Sequence, residues 1–343
     1  MVLSRRTTPI ASSLPRTGLD PNTVDTDGAI EPEDTRQLLH AQDAFSDTLD
    51  AKYQRHQSLH STRLLSWAEL PEWMKDNHFI HTGYRAPANS YAKCFASWFY
   101  LHNETGNIMT HLFGALAFVI LCFTVTGSLL REFPTIDWRD ATTLYIFLLG
   151  AVGCMGTSAI YHTVTCHSPT VQRAYNKCDY VGIVLLIVGS CVPIFCYMFY
   201  CHPRLKMFYL GLIFTLGSIT AYMVVAPKFA ISEYRPLRAA TFVALGLSGI
   251  VPAIHSTQLF GWEYTLNAVQ MPYMLMMGGT YIAGAFIYSA RFPERLWPGK
   301  FDYWLHSHQI FHVFVVIAAV FHYIGVSNAL RWTHTAGLDL CPA

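Results

Sequence analysis

The chain has 343 residues, 52% of them hydrophobic, 14% aromatic and 13% charged, with a formal net charge of +1. Soluble domains carry roughly 25% charged residues, so the composition excludes an ordinary pair of soluble domains. Without a basic face, nucleic acid is excluded as a partner.

Residues 1–65 are rich in Ser, Thr, Asp, Pro and Gln. Such a segment buries too little apolar surface to fold, and a disordered cytosolic region is expected. Met1 to Asp20 lacks the apolar core of a signal peptide, so insertion is expected to rely on the first internal apolar helix. Residues 66–106 contain aromatics and turn residues, and Ser90 to His102 predicts a short amphipathic helix at the membrane surface.

Seven apolar runs follow, at 108–130, 141–163, 180–201, 207–226, 239–260, 268–290 and 308–330. Each has the length of about 20 residues that a helix needs to cross a bilayer. None carries Asp, Glu, Lys or Arg in its interior, and the runs are continuous rather than alternating. This predicts an all-α integral membrane bundle of seven transmembrane helices rather than a barrel. Pro193 and Pro252 are expected to kink their helices. Eight Lys and Arg residues flank one set of helix ends and five the other. That bias predicts a cytosolic amino terminus and a short outer tail at 331–343. The nine cysteines fall mostly in or beside apolar runs and form no CxxC pair. They read as buried small hydrophobes, not a disulfide framework.

Ionisable groups in a membrane are costly and usually have a task. His308 and His312 open the seventh run four residues apart, on one helix face and about 6 Å apart along the axis. His162 closes the second run, and Asp179 stands at the start of the third. Antiparallel threading puts all four at one depth. Three imidazoles with one open position is the catalytic form of a zinc site. Zn²⁺ is preferred to iron or copper, since no second carboxylate or thiolate ligand is at hand. Asp179 is either a fourth ligand or, as favoured, the group that hydrogen-bonds a water on the metal and accepts its proton. Ser158, one turn before His162, contacts that water or a substrate oxygen, or simply bonds its own helix backbone. Glu104, Asn107 and His111, at the same level of the first helix, are either a polar helix start or a supporting hydrogen-bond cluster. His255 is too distant, His322 reads as core and His306 as loop.

The motifs run Leu70-Pro71-Glu72-Trp73, Asp76-Asn77, Gly83-Tyr84-Arg85, His102-Asn103-Glu104-Thr105-Gly106-Asn107-Ile108, Thr110-His111, Ser158 to His162, Asp179, and Ser307-His308-Gln309-Ile310-Phe311-His312. In this order they resemble the progestin and adipoQ receptor family, which includes adiponectin receptors and haemolysin III-like proteins. The resemblance covers about Leu70 to Leu330. It implies a seven-helix zinc-binding domain, here 107–330, with His162, His308 and His312 as ligands and Asp179 and Ser158 nearby. The order Ser, His, Asp, His, His is also similar to that of alkaline ceramidases.

The leading expectation is therefore a receptor-like membrane hydrolase of a lipid amide such as ceramide, linked to lipid and zinc metabolism. The site depth, near the polar linkage of a membrane lipid, motivates it. A signalling receptor with a purely structural zinc, answering an extracellular protein or steroid ligand, is the alternative. A transporter ranks below both, because no membrane carboxylate or lysine lines an evident path. Plasma membrane and internal membranes both fit, and glycines in the first helix allow a homodimer face.

Overall fold

The computed structural model describes residues 63–229 and 234–337. The disordered region expected at 1–65 therefore lies almost wholly outside the described residues. Apart from one isolated bridge between Leu65 and Tyr84, regular structure among the described residues is helical.

A six-residue helix α1 (Tyr91–Ala96) precedes the bundle. The bundle comprises α2 (Thr105–Gly127), α3 (Trp138–Val164), α4 (Pro169–Met198) and α5 (Pro203–Val225). It continues with α6 (Arg235–Leu247), α7 (Ile250–Phe260), the short α8 (Trp262–Ala268), α9 (Met271–Ala290) and α10 (Ser307–Trp332). Six spans are long and apolar enough to cross a bilayer, one of them running Ala240–Phe260 through both α6 and α7. The remaining helix, α9, has 20 residues without a charge, but Tyr, Gly and Thr dilute its apolar character. Together they form a seven-helix membrane bundle.

Hydropathy marks only the apolar part of a helix, and this shifts two expectations. The third span starts at Pro169, not 180, because Ser168 Oγ accepts from the Val171 N–H at 3.4 Å and Pro169 occupies the first turn. Asp179 thus stands within the helix, three turns from its start. The fifth span breaks at Ser248-Gly249, between α6 and α7. Pro252 has no N–H for the Ser248 carbonyl, so the interruption falls one turn upstream of the proline. Pro193 sits inside the continuous α4.

Consecutive helices from α2 to α6 pack as neighbours, and α10 lies against α9, α2, α3 and α4. The α3–α4 contact depends on two missing side chains. A Cβ at Gly150 would lie 2.8 Å from the Leu185 carbonyl oxygen, and one at Gly189 would lie 2.9 Å from that of Ile146. Small residues let membrane helices approach this closely. On α2, Phe113, Leu116, Ile120 and Phe123 are exposed in a stripe, with Phe123 79% accessible. In water such a stripe would be a large apolar patch; here it is the face toward lipid.

Residues 63–106 and the α9–α10 connection build a cap over one end of the bundle. The Asp302 carboxylate accepts from the His81 and Thr82 N–H groups at 2.9 and 2.8 Å and from the Thr82 hydroxyl at 2.6 Å. Asn103 N–H donates to the Gly83 carbonyl at 2.9 Å. Gly83 has φ +87°, and a Cβ there would meet the Tyr303 ring at 3.0 Å, so both backbone and space require glycine. The amphipathic helix expected over Ser90 to His102 is shorter, α1 giving way to a 3₁₀ turn at Ser97–Phe99. It keeps its two faces, with Tyr91, Phe95 and Phe99 exposed and Cys94 buried.

The cysteine expectation holds for the buried free thiols Cys94, Cys154 and Cys166. It is corrected at Cys201, in the α4–α5 turn at the other end of the bundle, which is disulfide-bonded.

Candidate metal centre

Antiparallel threading decides which side chains meet. His162 occupies the last turn of α3, His308 and His312 the first two turns of α10, and α2 begins at the same end. One ring nitrogen from each histidine lies within 4.8 Å of the others, and the group is largely buried. His162 Nε2 and His308 Nε2 are 3.2 Å apart. Two imidazoles on a tetrahedral zinc, with Zn–N of about 2.0–2.1 Å, stand roughly 3.3 Å apart. The residues therefore fit such an ion, and the three-histidine group could hold one.

The neighbours fix the tautomers that metal binding needs. His162 Nδ1 lies 2.7 Å from a Glu104 carboxylate oxygen. An ionised carboxylate only accepts, so Nδ1 carries a proton and, in the neutral ring, Nε2 keeps its lone pair. Glu104 is held in turn by the Asn107 amide at 2.6 Å. His312 Nδ1 lies 3.1 Å from the Asn107 carbonyl oxygen, which leaves the His312 Nε2 lone pair free by the same logic. Partners of this kind orient metal-ligating histidines and raise their basicity. The His111 ring stacks on His312 at 3.6 Å and 2°. Both His111 nitrogens and Asn107 Oδ1 are buried without a hydrogen-bond partner. The Glu104, Asn107 and His111 cluster stands around the histidines rather than only starting a helix.

Ser158 is buried on α3 and faces Asp179 across the α3–α4 contact. The alternative, a hydroxyl bonded to its own helix, is taken instead by its neighbour Thr157, which donates to the Gly153 carbonyl at 2.8 Å. Asp179 interacts electrostatically with His162 but is not in the three-histidine group. Of the other histidines, His306 directly precedes α10 with Nε2 3.1 Å from the Asn103 carbonyl. His322 is buried in the core, and His255 pairs with the Tyr209 hydroxyl at 2.7 Å, away from the group.

Three supporting residues were not singled out from the sequence. Arg85 is buried and caps the end of α3, its guanidinium donating to the His162 carbonyl at 2.6 Å and the Thr163 carbonyl at 2.8 Å. Glu294, fully buried, accepts from the Ser307 N–H at 2.8 Å and from the Ser307 hydroxyl, which caps α10 one residue before His308. A carboxylate there also complements the helix dipole. Gln309 donates to the Asn103 and Tyr303 carbonyls at 3.2 and 2.9 Å. Its amide fills the space beside Gly106, where a Cβ would lie 2.4 Å from the Gln309 side chain. Arg85 and Gln309 stand inside the sequence motifs and were legible there as motif members without a role. Glu294 carried no signal, since its partner lies in another element.

Comparison with known proteins gives a consistent answer. A family model described as Haemolysin-III related matches residues 99–323. The chain is 42% identical over 268 residues to an "Adiponectin receptor protein" of Drosophila melanogaster, covering 78% of this chain and 60% of that protein. It is 42% identical over 267 residues to "Progestin and adipoQ receptor-like protein 1" of Caenorhabditis elegans, covering 78% and 61%. It is 39% identical over 274 residues to "ADIPOR-like receptor IZH2" of Saccharomyces cerevisiae, covering 79% and 86%. The match thus spans about three fifths of the fly and worm proteins. The apolar spans and these relatives make this an integral membrane protein, and the chain belongs to the Haemolysin-III-related family of adiponectin-receptor-like membrane proteins.

Proposed function

We propose that this protein is a receptor-like membrane hydrolase that uses zinc to cleave the amide of a membrane lipid such as ceramide. The observation that carries the reading is the convergence of three histidines at one end of the bundle, with Asp179 and the buried Ser158 on the neighbouring α3–α4 contact. When bound, zinc supplies Lewis acidity toward a carbonyl and makes hydroxide available near neutral pH. His162, His308 and His312 would hold the ion. Glu104 and the Asn107 carbonyl keep two of those rings in the ligating tautomer. Asp179 accepts the proton of the attacking water and passes it to the leaving amine. The Ser158 hydroxyl holds the Asp179 carboxylate in place. Lipid-facing helices around the site give an acyl chain a lateral way in. A cytosolic metal end accords with the charge bias of the helix ends and with the disulfide at Cys201 on the other side.

The names of the fly and yeast relatives favour a second reading, a receptor whose zinc only ties α3 and α10 together. One experiment separates the two. Purified, zinc-loaded protein is given ceramides in mixed micelles, and fatty acid release is followed beside an Asp179→Asn variant. The hydrolase reading expects release that falls at least about 100-fold in the variant while zinc content is kept. Full zinc occupancy with no release from any ceramide leaves only the structural role.

A further inference from the structure

Below the metal group, where α1 meets the end of α3, lies a pair of thiols that the proposed chemistry does not use. Cys94 of α1 and Cys166 of the α3–α4 turn have their Sγ atoms 3.7 Å apart, and both residues are buried. With Val164 they form a small apolar cluster of their own, closed by Met74, Ala88, Val171 and Tyr175. The backbone around them is fixed on both sides. Ala88 and Asn89 N–H groups donate to the Cys166 and His167 carbonyls at 2.8 and 3.0 Å. Ser97 Oγ donates to the Cys94 carbonyl at 2.7 Å, and Arg85 bridges Ser97 and the last carbonyls of α3 at 2.8 Å or less. The two chain segments are thus held in register before any bond joins them. The Cys94 thiol and the Arg85 guanidinium favour the thiolate of Cys166, against the opposing effect of burial. A thiolate is the form that attacks an oxidant or a disulfide.

From this geometry we infer that Cys94 and Cys166 are a redox-active pair, whose reversible disulfide locks α1 to the turn four residues beyond His162. The chemistry balances with a peroxide or with glutathione disulfide as oxidant. With peroxide, Cys166 thiolate attacks one oxygen and releases water or hydroxide, and Cys94 then displaces the second oxygen from the resulting sulfenic acid as water. Two thiols become one disulfide, and two electrons and two protons pass to the peroxide, giving two waters. With glutathione disulfide the same two electrons yield two glutathione thiols. Bond formation brings the sulfur atoms from 3.7 Å to about 2.0 Å. The pinned backbones leave the two side chains to close the distance, and the bond then restrains the His162 end of α3. On the proposed orientation this end faces the reducing cytosol, where the pair rests as thiols and oxidation is a signal.

The linkage itself is independent of the metal reading; its effect on metal release rests on that reading. Full-length wild-type protein in detergent is exposed to hydrogen peroxide or glutathione disulfide, alkylated, digested without reductant and analysed by mass spectrometry. A peptide linking Cys94 to Cys166 is expected, lost on reduction and absent from Cys94→Ala. Oxidation that consumes the exposed Cys178 while Cys94 and Cys166 stay separately alkylated overturns the proposal. In metal-loaded protein, oxidation is expected to slow release of the ion to a chelator by roughly tenfold in wild type and not in Cys94→Ala. Linkage with unchanged release overturns the regulatory role. Protein that forms the link but never takes up metal defeats the hydrolase reading alone.

Discussion

Glu104 shows how one carboxylate can set the chemistry of a ring it does not belong to. At 2.7 Å from His162 Nδ1 it dictates which nitrogen is left to ligate. Glu104→Gln keeps the size of the side chain but loses the charge and the obligatory acceptor. Metal affinity is expected to fall roughly 10–100-fold with helical content unchanged, as read by chelator competition. Retained affinity would show that His162 is oriented by its helix alone. His102 makes a separate prediction. It is fully buried, its Nδ1 accepts from the Glu104 N–H at 3.1 Å, and burial pushes its pKa down to about 3. The unfolded chain binds a proton near pH 6.5 that the folded chain refuses. Stability from this residue is therefore full above pH 6.5 and lost as pH falls from there toward 3. His102→Asn is expected to make the decline shallower by about one proton, or ~1.4 kcal/mol per pH unit between roughly pH 5.5 and 4. Melting temperature against pH for the two proteins checks it, and parallel curves would refute it.

Among the elements, α3 and α4 matter most, because His162, Ser158 and Asp179 depend on their approach. Gly150 and Gly189 face the opposite helix backbone, where only a hydrogen fits. Gly150→Ala and Gly189→Ala are each expected to cost about 1–3 kcal/mol, since the obstacle is a carbonyl group that cannot rotate away. Thermal unfolding in detergent measures the loss. A change below about 0.5 kcal/mol, the size of an ordinary surface substitution, would mean that the helices separate at no cost. The ends of these elements are equally specified. Ser168-Pro169 starts α4, Arg85 closes α3 and Glu294 opens α10. Ser168-Pro169 is a local signal that hydropathy alone passes over. Arg85 acts on a helix end 77 residues away, and Glu294 acts from outside the helix it caps, so local pattern gave neither of them a role.

For the whole molecule, the three-histidine group joins α3 to α10, which are far apart in sequence and adjacent in the bundle. A bound ion stabilises the native state by mass action. Removing it with a chelator, or replacing His308 and His312 together by Ala, is expected to lower the melting temperature. The chelator should then have no effect on the double variant. A wild-type protein that contains no divalent ion by elemental analysis, and melts alike with and without chelator, would remove the metal from the account.

The sequence by itself determined the seven-helix architecture, the end of the bundle at which the histidines collect, and which three of them converge. Each of these follows from period and length: about twenty apolar residues make a span, four residues make a shared helix face, and alternating spans fix depth. Only the tertiary structure decided that Glu104 and the Asn107 carbonyl meet the His162 and His312 rings, and that residues 63–106 fold into a cap. It alone brought Cys94 to Cys166. The physical reason is reach. Hydrophobic pattern is a property of neighbouring residues, whereas a hydrogen bond or a thiol pair joins atoms that only packing brings together.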